Sequence, residues 1–169
     1  MAKKKSLRKP PLFAVLAVIL IAVVAGLYFS IPKTPSLNIY FIRDGELYAS
    51  CRPFDKDQDV IAFAAFELLR GPTNAEKCHG VSTEIPKNSL ILGMKLKGDI
   101  LQIKFNDALA KYGGGSARVQ GLIAQIVYTF TQIKGVKSVQ ILIGANSSLI
   151  LGSEGYVIDK PLTREDIKF

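Results

Sequence analysis

The stretch SARVQGLIAQIVYTFTQI, Ser116 to Ile133, decides how the chain folds. Val119, Leu122, Ile123, Ile126, Val127, Phe130 and Ile133 recur at spacings of three and four, the period of an amphipathic helix. Its other face carries Arg118, Gln125, Thr129 and Gln132. A helix with one apolar stripe must bury that stripe against another element. Upstream, Leu90, Leu92, Met94 and Leu96 alternate with other residues, Gly98-Asp99 signals a tight turn, and Leu101, Ile103 and Phe105 alternate with Gln102, Lys104 and Asn106. This predicts a hairpin buried on one face. Downstream, Gly135 ends the helix and Val139, Ile141 and Ile143 predict a further strand. Gly113-Gly114-Gly115 before Ser116 reads as a flexible turn feeding a serine helix cap, since it lacks the Lys-Ser/Thr pair and the spaced glycines of a phosphate-binding loop.

The same alternation continues outward. Leu37 to Ile42 predicts a first strand, Asp44-Gly45 a turn, and Glu46 to Ser50 a returning strand. Asp55 or Asp57 is placed to cap a helix whose stripe is Val60, Ile61, Ala64, Ala65, Leu68 and Leu69, widened by Phe63 and Phe66 and stopped at Gly71-Pro72. Thr73 to Gly80 is polar and reads as a loop. Leu149 to Leu151 and Tyr156 to Ile158 are weaker strands, and Pro161 to Phe169 has room for one helical turn. The order ββ-α-ββ-α-β(β) predicts an α+β fold: a two-layer sandwich of a mainly antiparallel sheet, both amphipathic helices on one face.

The N-terminus has a different character. Leu12 to Phe29 is eighteen residues without a charge, preceded by Lys3, Lys4, Lys5, Arg8 and Lys9. As a helix the run spans about 27 Å, close to the hydrocarbon thickness of a bilayer. The expected organisation is a basic cytoplasmic tail (1–11), a transmembrane helix (12–31), a stiff linker (32–36) containing Pro32 and Pro35, and an extracytoplasmic domain (37–169). The chain would sit as a single-pass protein of the inner (cytoplasmic) membrane, with its N-terminus in the cytoplasm. Val23-Val24-Ala25 before Gly26 also fits a signal-peptide cleavage site, although the apolar run is long for one. No cysteine lies between residues 20 and 36 to accept a lipid. The formal net charge of +8 is concentrated in this tail, whose first eleven residues hold five basic groups; the remainder carries 17 basic and 14 acidic residues, so a nucleic-acid partner is not expected.

Few residues suggest chemistry. His79, the one histidine, stands beside Cys78, but adjacent residues seldom align as nucleophile and base, and Cys51 is the only other soft ligand. Glu67 and Glu84 have no evident partner, Glu67 either facing solvent or pairing with Arg70. No catalytic residue, metal or cofactor is therefore expected. Cys51 and Cys78 lie in an oxidising compartment if the domain is exported, and are a candidate disulfide or two independent thiols. Gln125, Tyr128, Thr129 and Gln132 form a neutral polar helix face suited to contact with a protein or a sugar polymer, or simply an ordinary exposed surface.

Several segments together resemble a known family. Phe66-Glu67-Leu68-Leu69-Arg70-Gly71-Pro72-Thr73, Thr83-Glu84-Ile85-Pro86-Lys87 with Leu92-Gly93, Gln125 to Gln132 with Gly135 to Val139, and Asp159 to Asp166 are similar, in order, to the GerM-type domain of bacterial sporulation and germination proteins and some envelope lipoproteins. The resemblance implies a non-enzymatic domain related to ring-building modules of envelope-spanning complexes. Its expected partners are envelope proteins or further copies of itself, with a cell-wall glycan or peptide as the alternative ligand.

Overall fold

The structure is a computed structural model that describes Phe13 and residues 20–23, 34–110, 115–144, 149–151 and 156–169. The expected membrane helix at 12–31 lies mostly outside the described residues. Phe13 and residues 20–23 are helical, and no helix among the described residues is long and apolar enough to cross a membrane. Residues 35–169 form a compact unit of their own, and every buried apolar side chain among the described residues, from Leu37 to Leu162, belongs to it.

Strand β1 (Ser36–Arg43) pairs antiparallel with β2 (Glu46–Pro53) in the register Phe41 to Tyr48 and Ile39 to Ser50. Asp44 and Gly45 both have positive φ, 55° and 81°, the geometry that a two-residue hairpin turn requires and that Asp-Gly supplies at little cost. Helix α1 (Val60–Arg70) is capped by Asp59, which accepts from the backbone N–H of Ile61 and Ala62. Asp55 and Asp57 therefore do not cap it. The polar stretch expected as a loop contains a short helix, α2 (Asn74–Cys78), started by a reciprocal Thr73–Glu76 capping box.

β3 (Ile91–Lys97) and β4 (Ile100–Phe105) form the expected hairpin, with a bulge between Ile91 and Gly93. Helix α3 (Ser116–Thr131) then crosses over to β5 (Ser138–Ile143), which pairs parallel to β4. Gly115, not Ser116, is the N-cap of α3, and no side chain caps it. β6 (Leu149–Leu151) pairs antiparallel with β7 (Tyr156–Ile158), and one 3₁₀ turn occupies Arg164–Asp166.

The single shared sheet is corrected by this arrangement. The strands form three separate sheets, β1-β2, β3-β4-β5 and β6-β7. The helices consequently do not line one face of one sheet. α3 contacts β1, β5 and α1, and its seven residues from Gly121 to Val127 are all buried. Ile39 and Phe41 of β1, Leu101, Ile103 and Phe105 of β4, Val139 of β5, and Leu122, Ile126 and Phe130 of α3 make the core. Gly121 leaves room for Glu84 and Phe169, whose atoms would come within 3.3 Å of an added Cβ.

The burial expected for β3 is also corrected. Leu90, Leu92 and Leu96 are 57%, 58% and 43% exposed. The bulge shifts the alternation: Ile91 and Met94, opposite Phe105 and Ile103, pack against the core, Leu92 lies at the bulge itself, and Leu96 sits near the open end of the edge strand.

Candidate interaction site

The polar face of α3 does not look outward. Gln125 and Thr129 are fully buried, which corrects the expectation of a solvent-facing binding surface at those positions. Their partners lie on the outer edge of β1. The Gln125 Nε2 donates to the Tyr40 carbonyl at 3.2 Å and to Thr83 Oγ1 at 3.1 Å, while its Oε1 accepts from the Glu84 backbone N–H at 2.7 Å. Thr129 Oγ1 accepts from the Tyr40 N–H at 3.1 Å. Gln132 Oε1 accepts from the Asn38 N–H at 3.1 Å, and its Nε2 donates to the Asn38 carbonyl. Ile42, two residues further along, exchanges backbone bonds with Ser82 at 2.9 and 2.7 Å. Two α3 side chains and the C-cap Gln132 thus do the work of a neighbouring strand for Asn38 and Tyr40, and Ser82 does it for Ile42.

Tyr128 is half-buried beside this seam. Its ring meets Tyr40 edge-on at 5.5 Å, and the Arg164 guanidinium stands 4.9 Å above it. Arg164 also donates to Thr131 Oγ1 at 2.8 Å and to the Tyr128 carbonyl at 3.2 Å. Gln132 lines an open cleft of about 540 Å³ with Thr131, Val136, Lys137, Thr163, Arg164 and Glu165. Gln125, Thr129 and Tyr128 do not line it, and its walls present no aromatic ring on which a sugar would stack.

The charged residues form a second construction that the sequence did not reveal. Arg52, on β2, donates through Nε to Glu67 of α1 at 3.2 Å and through its two terminal nitrogens to Glu76 of α2 at 3.0 and 2.7 Å. Ser50 contacts both Glu76 and Arg52. Glu67 also accepts from Arg70 at 3.1 Å, the pairing expected as one alternative, and Arg52 is a second cationic partner that the sequence did not reveal. Glu76 accepts in addition from the backbone and hydroxyl of Thr73. The Arg52 guanidinium, reinforced by Ser50 and Thr73, holds the Glu76 carboxyl at about 2, and Arg52 is itself raised. A carboxylate so firmly ionised cannot exchange protons near neutral pH, so the cluster is a clamp joining two helices to the first hairpin. Glu84 pairs with Arg118 at 2.9 Å, and His79 hydrogen-bonds the Ala75 carbonyl through Nδ1 at the end of α2. Among the described residues no three His, Cys, Asp or Glu side chains gather as metal ligands.

Cys51 and Cys78 are both free and exposed, so the candidate disulfide is not formed. Side chains alternate along β2. Ser50 and Arg52 face Glu76 of α2, and Cys51 between them turns to the opposite side. A thiol reagent applied to the native protein is expected to label both cysteines, the only two in the chain, with or without prior reduction. Labelling only after reduction would show that the hairpin and α2 move enough to join them.

The fold now has relatives to be set beside. The Germane family, described as "Sporulation and spore germination", matches residues 27–146. No curated protein matches. Among solved structures, the first GerMN domain of the sporulation protein GerM from Bacillus subtilis is 18% identical, with a TM-score of 0.62 over 79% of this chain and 100% of that one. The tandem GerMN domains of the same protein are 21% identical with a TM-score of 0.58; 80% of this chain is covered but 47% of that one, so the chain spans about half of the tandem structure. A candidate lipoprotein from Clostridium perfringens is 22% identical with a TM-score of 0.57, over 79% of this chain and 88% of that one. At these identities the structures speak for a shared fold, while the family match covers most of the sequence, including both hairpins, the Arg52 clamp and the buried amide seam: the chain belongs to the Germane family and carries a GerM-type domain.

Proposed function

We propose that the chain is a non-enzymatic, membrane-anchored envelope protein whose extracytoplasmic domain assembles with other proteins, in complexes of sporulation, germination or the cell envelope. The observation that carries this reading is the outer strand of the β3-β4-β5 sheet. Among the described residues it pairs on one side only, and it shows Leu92 and Leu96 to solvent, with the exposed Leu90 just before it. Exposed apolar side chains along an open sheet edge mark a surface open to a partner. The polar helix face is not available for that role, because its amides are spent on β1. The charge pattern around Leu12–Phe29 supports the anchor, and a structural neighbour described as a candidate lipoprotein agrees with an envelope location.

A photoreactive amino acid placed at Leu92, and separately at Phe66 on the exposed side of α1, tests the reading in living cells of the source organism. Discrete protein adducts are expected. Their absence at both positions, together with saturable co-sedimentation of the purified chain with cell wall, would replace protein assembly by a glycan or peptide ligand, for which the cleft beside Gln132 is the place to look.

A further inference from the structure

Edge strands of natural sheets are ordinarily guarded by lysines, bulges or a covering segment. β3 has two of these guards, a bulge at Ile91–Gly93 and the lysines Lys95 and Lys97, yet it also exposes Leu92 and Leu96. The combination has a direction. In the observed register Met94 and Leu96 stand opposite Ile103 and Leu101, on the core side of the sheet, while Lys95 and Lys97 stand opposite Gln102 and Ile100, on the outer side. Lys104 lies on that outer side as well, opposite Gly93, where an added Cβ would meet nothing within 4 Å. Here Gly93, Lys95 and Lys104 rim a shallow notch of about 210 Å³, with Leu142 in its wall. No carboxylate among the described residues pairs with Lys95, Lys97 or Lys104, although Lys137 and Lys160 elsewhere on the surface are paired.

We infer that the free edge of β3 receives an extended acidic segment of a partner protein, added as a further antiparallel or parallel strand. The pleat dictates its pattern. Residues beside Met94 and Leu96 fall on the core side and must be aliphatic; residues beside Lys95 and Lys97 fall on the outer side and must be Asp or Glu. Backbone hydrogen bonds supply the affinity of such an added strand, and the alternating side chains supply its selectivity. The same lysines disfavour a second copy of β3, since pairing the strand with itself brings like charges across from one another or onto neighbouring positions of one face. This inference rests on the assembly reading above and specifies its surface and the chemistry of its partner.

The test uses the purified full chain and two fluorescein-labelled octapeptides, one alternating Glu and Val, the other alternating Lys and Val. Fluorescence anisotropy is expected to show binding of the Glu peptide that is at least about tenfold tighter than that of the Lys peptide and weakens as salt rises. The double substitution Lys95→Glu and Lys97→Glu is expected to reverse the preference. Leu96→Asp is expected to abolish binding of the Glu peptide, while circular dichroism confirms an unchanged fold. No binding at millimolar chain, equal binding of the two peptides, or a preference untouched by the lysine reversal would each overturn the inference. Photo-adducts at Phe66 but not at Leu92 would overturn it too while leaving protein assembly standing; adducts at Leu92 that match the mass of a second copy of this chain would identify the wrong partner.

Discussion

Arg52→Ala is expected to lower the unfolding free energy by about 3 kcal/mol, a large part of the margin by which a domain of this size is stable. The reason is asymmetry. Arg52 and its two carboxylate partners are each less than one-sixth exposed, with side-chain accessibilities of 14% for Arg52, 7% for Glu67 and 15% for Glu76. Removing the guanidinium leaves both carboxylates facing a poorly hydrated space, with Arg70, itself 61% exposed, as the one remaining cation on Glu67. Desolvation already spent on the carboxylates is then no longer offset. Urea denaturation should show a lower midpoint with an unchanged slope, because the surface exposed on unfolding stays the same. Combining Arg52→Ala with Glu76→Gln should cost less than the sum of the two single substitutions, since each removes the same interaction. Additive losses would mean that the three charges are not a unit.

The clamp also sets a pH dependence. Glu76 titrates at about 2 in the folded chain and near its ordinary 4.5 when unfolded, because the guanidinium favours its ionised form. A group whose pKa is depressed by folding contributes stability above the unfolded value and loses it as pH falls through the folded one. Stability should therefore decline between about pH 4.5 and 2, and Glu76→Gln should flatten that decline while lowering stability at neutral pH. An identical acid profile in the two proteins would remove Glu76 from the account.

What the sequence disclosed follows from the range of the interactions. Both hairpins were legible because a period of two and an Asp-Gly or Gly-Asp turn are local signals, and Asp44 and Gly45 take up the conformation those residues favour. The Arg52 clamp was not, because positions 52, 67 and 76 follow no repeat; the chain must already be folded for β2, α1 and α2 to meet. The parallel pairing of β4 with β5, and with it the division into separate sheets, depends on where the α3 crossover lands, and apolar alternation alone is silent on that. Leu92 and Leu96 alternate as core residues do, yet the bulge at Ile91–Gly93 shifts the phase and gives Ile91 the core side that periodicity assigned to its neighbours, so periodicity identified the strand and misjudged its burial. Gln125, Thr129 and Gln132 did carry a signal. They are neutral and spaced by four and three, where an exposed helix face would ordinarily carry charge. Their neutrality answers to the β1 backbone, which offers a dipole at each point of contact and would leave a formal charge buried without a counter-ion.

That last point yields the sharper of the two expectations. Gln125→Leu keeps the side chain's bulk and removes both of its polar atoms. The Glu84 N–H loses its acceptor and the Tyr40 carbonyl loses the donor on its outer side. Each buried backbone group left unpaired costs about 1–3 kcal/mol, so a loss of about 4 kcal/mol is expected. Amide exchange at Glu84 should accelerate relative to the core strands, marking the seam rather than the whole fold as the site of damage. Gln125→Glu separates the two halves of the amide's role. A carboxylate still accepts from the Glu84 N–H but cannot donate to the Tyr40 carbonyl, whereas the protonated acid does both. Folding must therefore raise the pKa of the new carboxyl above its ordinary value of about 4.3. Its penalty relative to the native chain should be small below that value and grow as pH rises through the raised one. The Arg52 clamp weakens both proteins alike at low pH and cancels from the comparison, so the two stabilities should converge on acidification as the new carboxyl takes up its proton. A Gln125→Glu penalty that stayed constant from pH 4 to 8 would show that donation to Tyr40 contributes nothing, leaving the Thr129 and Gln132 hydrogen bonds and the apolar neighbours to hold α3 against β1.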